Sequence, residues 1–241
     1  MILLKPVIKA MHSGGVGDCI YSLPTLLSYE KAILYLNPSP YMHKGLAEKL
    51  IPLISVQPYI EECKLFEKER IDICLDEFRL ISGEGYTPIT YATLDPWNRY
   101  HNLNDKWLFD IEPLYKNDIV INRTLRYRGY MDYRSVVREF KDKILFIGLK
   151  DEYDNFCSDY GVVAYYEPTD FLEAARIIKG SKIFIGNQSA CYAIAEGMKV
   201  PRLLETSIDM PNCQPVGEHG YSTWIDTEDI EIVKKYVSNT N

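Results

Sequence analysis

Short apolar runs alternate along this chain with amphipathic stretches of about ten residues, and that alternation constrains the fold more than any other feature of the sequence. Val7–His12 reads as a buried strand, Ile20–Tyr29 as a helix and Ala32–Leu36 as a second strand. Gly45–Ser55 reads as a short amphipathic helix closed by Pro58, and Ile71–Leu75 as a further strand. From Gly83 to Pro113 the pattern gives way to Gly, Pro, Asn, Asp and aromatics, including Trp97 and Trp107. Turn residues at that density predict loops. The alternation then resumes, with strands at Asp118–Asn122, Lys143–Ile147, Val162–Tyr165, Lys182–Ile185 and Arg202–Leu204. Helices fall between them at Tyr133–Phe140, Asp151–Tyr160, Thr169–Lys179 (capped by Thr169 and ended by Gly180) and Ser189–Met198, with a last one at Thr227–Val237.

Strands this short and this apolar, separated by helices, predict parallel βαβ units covered on both faces. The expected fold class is α/β, with two Rossmann-like domains and mainly parallel sheets. About four strands precede Gly83 and five follow Asp118. The boundary falls near Glu112–Asn117, which divides the chain into domains 1–114 and 115–241.

Composition narrows the function classes. Of 241 residues, 46% are apolar and 25% charged, the balance of a soluble globular protein. No run reaches the ~18 apolar residues of a membrane span. Met1–Lys9 lacks the basic flank and cleavage site of a signal peptide, so a cytoplasmic location is expected. The net charge of −7 argues against nucleic acid as a bulk partner, while a local basic groove stays open. The six cysteines are outside CxxC spacing and read as free, mainly buried thiols in a reducing compartment. His12, His43, His101 and His219 lack metal-ligand spacing and read as structural, and no Asp-x-Asp motif occurs, so no metal is expected. His12 is singled out because it ends the first strand. The acid pairs Glu61-Glu62, Asp76-Glu77 and Asp151-Glu152 read as solvated surface.

Two segments carry chemistry. In Ser13-Gly14-Gly15-Val16-Gly17-Asp18, three glycines follow the first strand and lead into a helix. Gly14, Gly15 and Gly17 let the backbone turn and approach a ligand, and the helix start suits a phosphate, sugar or carboxylate. The spacing is neither that of a dinucleotide fold nor that of a P-loop. Asp18 reads either as a helix cap or as a general base at the crevice. In Gly180–Pro201, a buried strand ends in Gly186-Asn187-Gln188-Ser189 before a helix of small residues. Asn187, Gln188 and Ser189 read either as an ordinary cap or as contacts to a nucleotide diphosphate.

Gly17–Leu26 and Ile183–Pro201 resemble the two-domain GT-B glycosyltransferases, and within them glycosyltransferase family 9, the ADP-heptose:lipopolysaccharide heptosyltransferases. The resemblance implies a GT-B fold with a C-terminal helix that crosses back to the first half. It implies transfer of a sugar from a nucleotide-diphosphate sugar to an acceptor hydroxyl, inverting and metal-independent, with the donor as substrate and no cofactor. Asp18 matches the family's catalytic base. Arg123 and Arg126 fall where the family neutralises the donor diphosphate, and alternatively belong to a solvated basic loop. Glu205 ends a late strand and is expected on ribose or sugar hydroxyls, with Pro211-Asn212-Cys213-Gln214 adjoining. Glu196 and Glu205 lack the spacing of the retaining Glu-x7-Glu motif, and Glu196 reads as structural. The family's His after Ser189 is absent, which, with the short chain, fits an alternative: a relative that binds a nucleotide or sugar without transfer. A further alternative keeps the chemistry and takes a modified DNA base as acceptor, in line with the arginines from Arg123 to Arg138.

Overall fold

A computed structural model describes residues 7–80, 102–211, 213–223 and 229–238. Trp97, His101, Asn212 and Thr227 lie outside the described residues. The first sheet contains β1 (Ile8–His12), β2 (Ala32–Leu36), β3 (Ile60–Leu65) and β4 (Ile73–Cys74), in the order β3-β2-β1-β4. Its helices are α1 (Val16–Leu27) and α2 (Lys44–Ser55). The second sheet contains β5 (Asn117–Asn122), β6 (Ile144–Ile147), β7 (Ala164–Tyr166), β8 (Ser181–Asn187), β9 (Arg202–Glu205) and β10 (Gly220–Ser222). Helices α3 (Tyr133–Phe140), α4 (Lys150–Tyr160), α5 (Phe171–Lys179), α6 (Ala190–Met198) and α7 (Asp229–Val237) accompany it. Its order is β10-β9-β8-β5-β6-β7, and every pairing between named strands in both sheets is parallel.

The α/β class with parallel sheets is as the alternation predicts. The fourth strand of the first half is β3, whose sequence IEECKL has no continuous apolar run because it is an edge strand with Glu61 and Glu62 exposed. The second half has one strand more than expected: β10 is only three residues long, and its pairing with β9 defines it. Asp170, not Thr169, caps α5, accepting the Glu173 N–H at 2.8 Å. Helix α7 does not cross back. Val233 and Val237 bury themselves among Ile183, Ile185 and Val136, on the second sheet and α3.

Alternation along the strands of the second sheet sorts its two faces. Ile119, Ile121, Phe146 and Leu203 face α3, α4 and α7 in one cluster. Val120, Ile147, Phe184 and Leu204 face the other way and join a cluster that also contains Ile20, Leu34 and Leu50 of the first half. The two halves therefore share one core, closed where α1 packs on α6.

The segment between the sheets fastens that contact. Pro24 lies inside α1 and has no N–H to give the Ile20 carbonyl one turn back. The Trp107 indole N–H donates to that carbonyl at 3.1 Å, so the buried acceptor is satisfied from outside the helix. The Trp107 and Leu108 backbone N–H groups both donate to Gly197 O on α6, at 2.9 and 3.1 Å. A Cβ at Gly197 would lie 2.9 Å from both Leu108 and Trp107, which explains the glycine.

Candidate active site between the two sheets

In each sheet the chain leaves its first strand, steps outward, and returns on that strand's other side. The switch points lie between β1 and β4 and between β5 and β8, where open α/β sheets form their crevices. A cleft of about 650 Å³ opens there, lined from both halves. The first half contributes Gly15, Gly17 and Asp18 after β1, and Pro40, Tyr41 and Lys49 after β2. The second contributes Thr124 and Arg126 after β5, Glu152 after β6, Asp170 after β7, Ser189 after β8 and Cys213 after β9, among others.

Helix α1 begins at Val16, earlier than its apolar pattern suggests, so Gly17 and Asp18 belong to its first turn. Gly15 is the cap, in extended backbone, and its N–H donates to Asp18 Oδ2 at 3.3 Å. None of Gly14, Gly15 and Gly17 adopts a positive φ, and Gly14 does not line the cleft. The glycine run is thus a tight helix start that turns Asp18 toward the cleft, not a looped cradle. The positive φ that a turn demands sits at Gly148, after β6. There a Cβ would lie 2.7 Å from Glu152 Oε2 and 2.8 Å from Asn122 Nδ2, so only glycine leaves room.

His12 ends β1 fully buried, with Nδ1 3.1 Å from Asp76 Oδ1. Asp76 also accepts the Ser13 N–H at 3.0 and 3.1 Å and the Ser13 hydroxyl at 2.5 Å. Burial pushes the Asp76 carboxyl up, but His12 and Ser13 outweigh it and hold it well below the usual carboxylate range. Asp76 is therefore no solvated surface acid. His43 caps α2, accepting the Leu46 N–H, and His219 pairs with the Tyr236 hydroxyl, both structural uses.

The second half divides the expected donor residues. Ser189 caps α6, accepting the Tyr192 N–H at 3.1 Å and donating to Asn122 Oδ1 at 2.9 Å. Gln188 and Ser189 line the cleft. Asn187 does not: fully buried, it accepts the Thr124 N–H at 2.9 Å and donates to the Arg126 carbonyl, clamping the loop after β5. Arg126 is exposed on that loop and faces the cleft, its guanidinium 5.2 Å from the Tyr127 ring. Arg123, expected on the diphosphate, is buried instead. Its Nε and Nη2 both donate to Glu205 at 2.8 Å, and its plane lies over the Tyr133 and Tyr160 rings. Glu205, expected on ribose, spends its oxygens on Arg123, Tyr133 and the Gly129 N–H. Neither Arg123 nor Glu205 lines the cleft. Glu196 is structural, as read: fully buried, it pairs with Arg202 and Lys199.

Sequence reasoning missed Glu152 and Tyr41. Burial pushes the Glu152 carboxyl up, and it accepts the Leu149 N–H at 3.0 Å while Arg126 and Arg128 pull the other way. It follows the second strand of its half, the place from which Rossmann-like folds reach a ribose. The signal was Gly148 at a strand end just before it. All six cysteines are free. Cys191 and Cys213 line the cleft as neutral thiols, each pushed up to about 12 by burial.

No family model and no curated protein matches the chain. Solved structures do. E. coli heptosyltransferase WaaC with ADP-2-deoxy-2-fluoro heptose superposes with a TM-score of 0.61 at 9% identity, over 96% of this chain and 99% of that one. The chain has the GT-B fold. E. coli ADP-heptose lps heptosyltransferase II gives 0.59 at 12% identity, over 97% and 99%. A glycosyl transferase family 9 structure from Veillonella parvula gives 0.53 at 12% identity, over 99% and 91%. The resemblance to family 9 carried by the two sequence segments thus extends to the architecture of nearly the whole chain.

Proposed function

We propose that this GT-B chain is a glycosyltransferase that moves a sugar from a nucleotide-diphosphate sugar to an acceptor hydroxyl. The observation that carries the reading is one cleft with a carboxylate, Asp18, on the first-half wall and anion-binding groups on the other. The latter are Arg126 and the N–H groups of the first turn of α6. The likeness to E. coli heptosyltransferase WaaC with ADP-2-deoxy-2-fluoro heptose supports it at the level of fold.

In the mechanism we infer, Asp18 accepts the proton of the acceptor hydroxyl as that oxygen attacks the anomeric carbon. The bond from that carbon to the diphosphate breaks on the opposite face, which inverts the centre. Negative charge gathers on the leaving diphosphate, where Arg126 and the α6 N–H groups stabilise it without a metal. Glu152 would hold the ribose hydroxyls, the role first expected of Glu205. Arg123 brings no charge to the ligand, because Glu205 neutralises it. The charged cleft residues are Asp18, Glu152, Glu167 and Asp170 against Lys49 and Arg126, a balance that favours an uncharged saccharide acceptor over a nucleic acid.

A thermal-shift panel with ADP, UDP, GDP, CDP and TDP, with and without Mg²⁺, tests the donor site. One nucleotide is expected to raise Tm without the metal, by mass action on the folded state. Asp18→Asn should keep that shift and lose at least ~100-fold in release of the nucleotide from its sugar conjugate. Full turnover in Asp18→Asn would remove Asp18 as base, and a nucleotide bound but never released from any conjugate would make the chain a binding protein.

A further inference from the structure

Asp76 stands outside the cleft lining, yet its hydrogen bonds lead into two parts of it. It lies on the short 3-10 turn after β4, at the switch point of the first sheet. Its carboxylate takes both donors of Ser13, the backbone N–H and the hydroxyl, and has His12 Nδ1 at 3.1 Å. Ser13 opens the five-residue link to Asp18. The Ser13 carbonyl in turn accepts the Ser39 hydroxyl at 2.5 Å. That hydroxyl accepts the Tyr41 N–H at 3.1 Å and the Met42 N–H at 3.3 Å, closing a turn in which Ser39 and Met42 also exchange backbone hydrogen bonds. The turn holds Tyr41 at the cleft with 72% of its surface exposed.

Hydrogen bonds thus run from Asp76 to Ser13, from which the backbone leads directly into α1, and from the Ser13 carbonyl through Ser39 to Tyr41. An exposed aromatic side chain is ordinarily free to sample many positions, but here its own N–H is bonded to Ser39 and the turn on either side of it is closed by the Ser39–Met42 bonds. A ring so placed offers an apolar face with a polar tip, suited to stacking against the C–H face of a sugar.

We propose that Asp76 is a positioning residue: through Ser13 it sets the loop that carries Asp18, and through Ser13 and Ser39 it sets the turn that presents Tyr41 to the acceptor. The proposal rests on the reading of Asp18 as base. Asp76 touches neither substrate. It acts by keeping two segments, distant in sequence, in one register, so that the proton acceptor and the acceptor platform stay in fixed relation. An ångström of misplacement at such a site costs of the order of 100-fold in rate. The donor wall belongs to the second sheet and hangs on Asn122, Asn187 and Ser189 instead.

The test compares Asp76→Asn, Asp76→Glu and Ser39→Ala in the full chain, by nucleotide release from its sugar conjugate and by amide hydrogen exchange. Asp76→Asn turns one acceptor oxygen into a donor facing the two Ser13 donors. It should lower kcat about 100-fold while KM for the nucleotide sugar stays within about twofold. Exchange should quicken at least about tenfold in 13–18 and 39–42 together, with the second sheet unchanged. Asp76→Glu, which keeps the carboxylate, should recover part of kcat. Ser39→Ala should loosen 40–42 and leave 13–18 protected. An unchanged kcat in Asp76→Asn, or a loss of protection spread over both sheets, overturns the proposal. A wild-type chain that turns over no nucleotide sugar would remove the glycosyltransferase reading, and the exchange pattern would still decide whether Asp76 holds the two segments.

Discussion

A guanidinium leaves water at tolerable cost only when a carboxylate goes with it, and this governs the two arginines that follow β5. Arg123 is buried against the fully buried Glu205, whereas Arg126, three residues on, keeps its charge for the cleft. Removing Arg123 would leave Glu205 as an uncompensated buried charge. Arg123→Ala should therefore cost ~3–5 kcal/mol of stability in urea unfolding. Arg126→Ala should leave stability within ~0.5 kcal/mol, as an exposed change does, and abolish most of the nucleotide-induced Tm shift. The reverse outcome would return Arg123 to the diphosphate. In the sequence the two arginines look equivalent, because nothing within a few residues of either names a partner. The place of Asp18 at the cleft was legible because it is set locally: a glycine-rich helix start carries it, and the strand before it sets the direction.

At the scale of elements, α1 shows how a local defect is repaired at a distance. Pro24 has no N–H to give the Ile20 carbonyl, and the Trp107 indole supplies a donor from outside the helix. Trp107→Phe should cost ~1–3 kcal/mol for the unsatisfied carbonyl alone, in addition to lost packing. In a Pro24→Ala background the backbone N–H at position 24 would take over, so the same change should cost less. A double-mutant cycle by urea unfolding measures the difference, and strict additivity would show that the indole bond carries no weight. Caps follow the same logic with smaller numbers. Ser189→Ala removes the α6 cap and the tie to Asn122, and should lower stability by ~1–2 kcal/mol. Most elements could be read from the sequence because strand and helix periods are local properties. The exceptions, β3 and β10, are the first half's edge and the second half's newcomer, and both owe their state to a neighbouring strand.

For the molecule as a whole, the shared core decides how the chain behaves. Ile20 and Leu34 of the first half lie in one cluster with Phe184 and Ile194 of the second, and Trp107 is bonded to both α1 and α6. Unfolding in urea should therefore be a single transition, with far-UV circular dichroism and tryptophan fluorescence coinciding. A fragment of residues 1–114 should fail to fold alone, since it would expose the face of α1 that α6 covers. Two separated transitions would mean that each sheet carries its own core. The sequence by itself determined the alternation of strands and helices, the parallel α/β architecture, the glycine-led helix start and the place of Asp18 at a strand's carboxyl end. These depend on residues a turn or a pleat apart. Only the tertiary structure decided that Arg123 belongs to Glu205, 82 residues away, that Asn187 clamps Thr124 and that Asp76 holds Ser13, each 63 residues away. A buried polar group must find a partner, but its chemistry specifies only the kind of partner, and the folding of the sheets selects which one lies within reach.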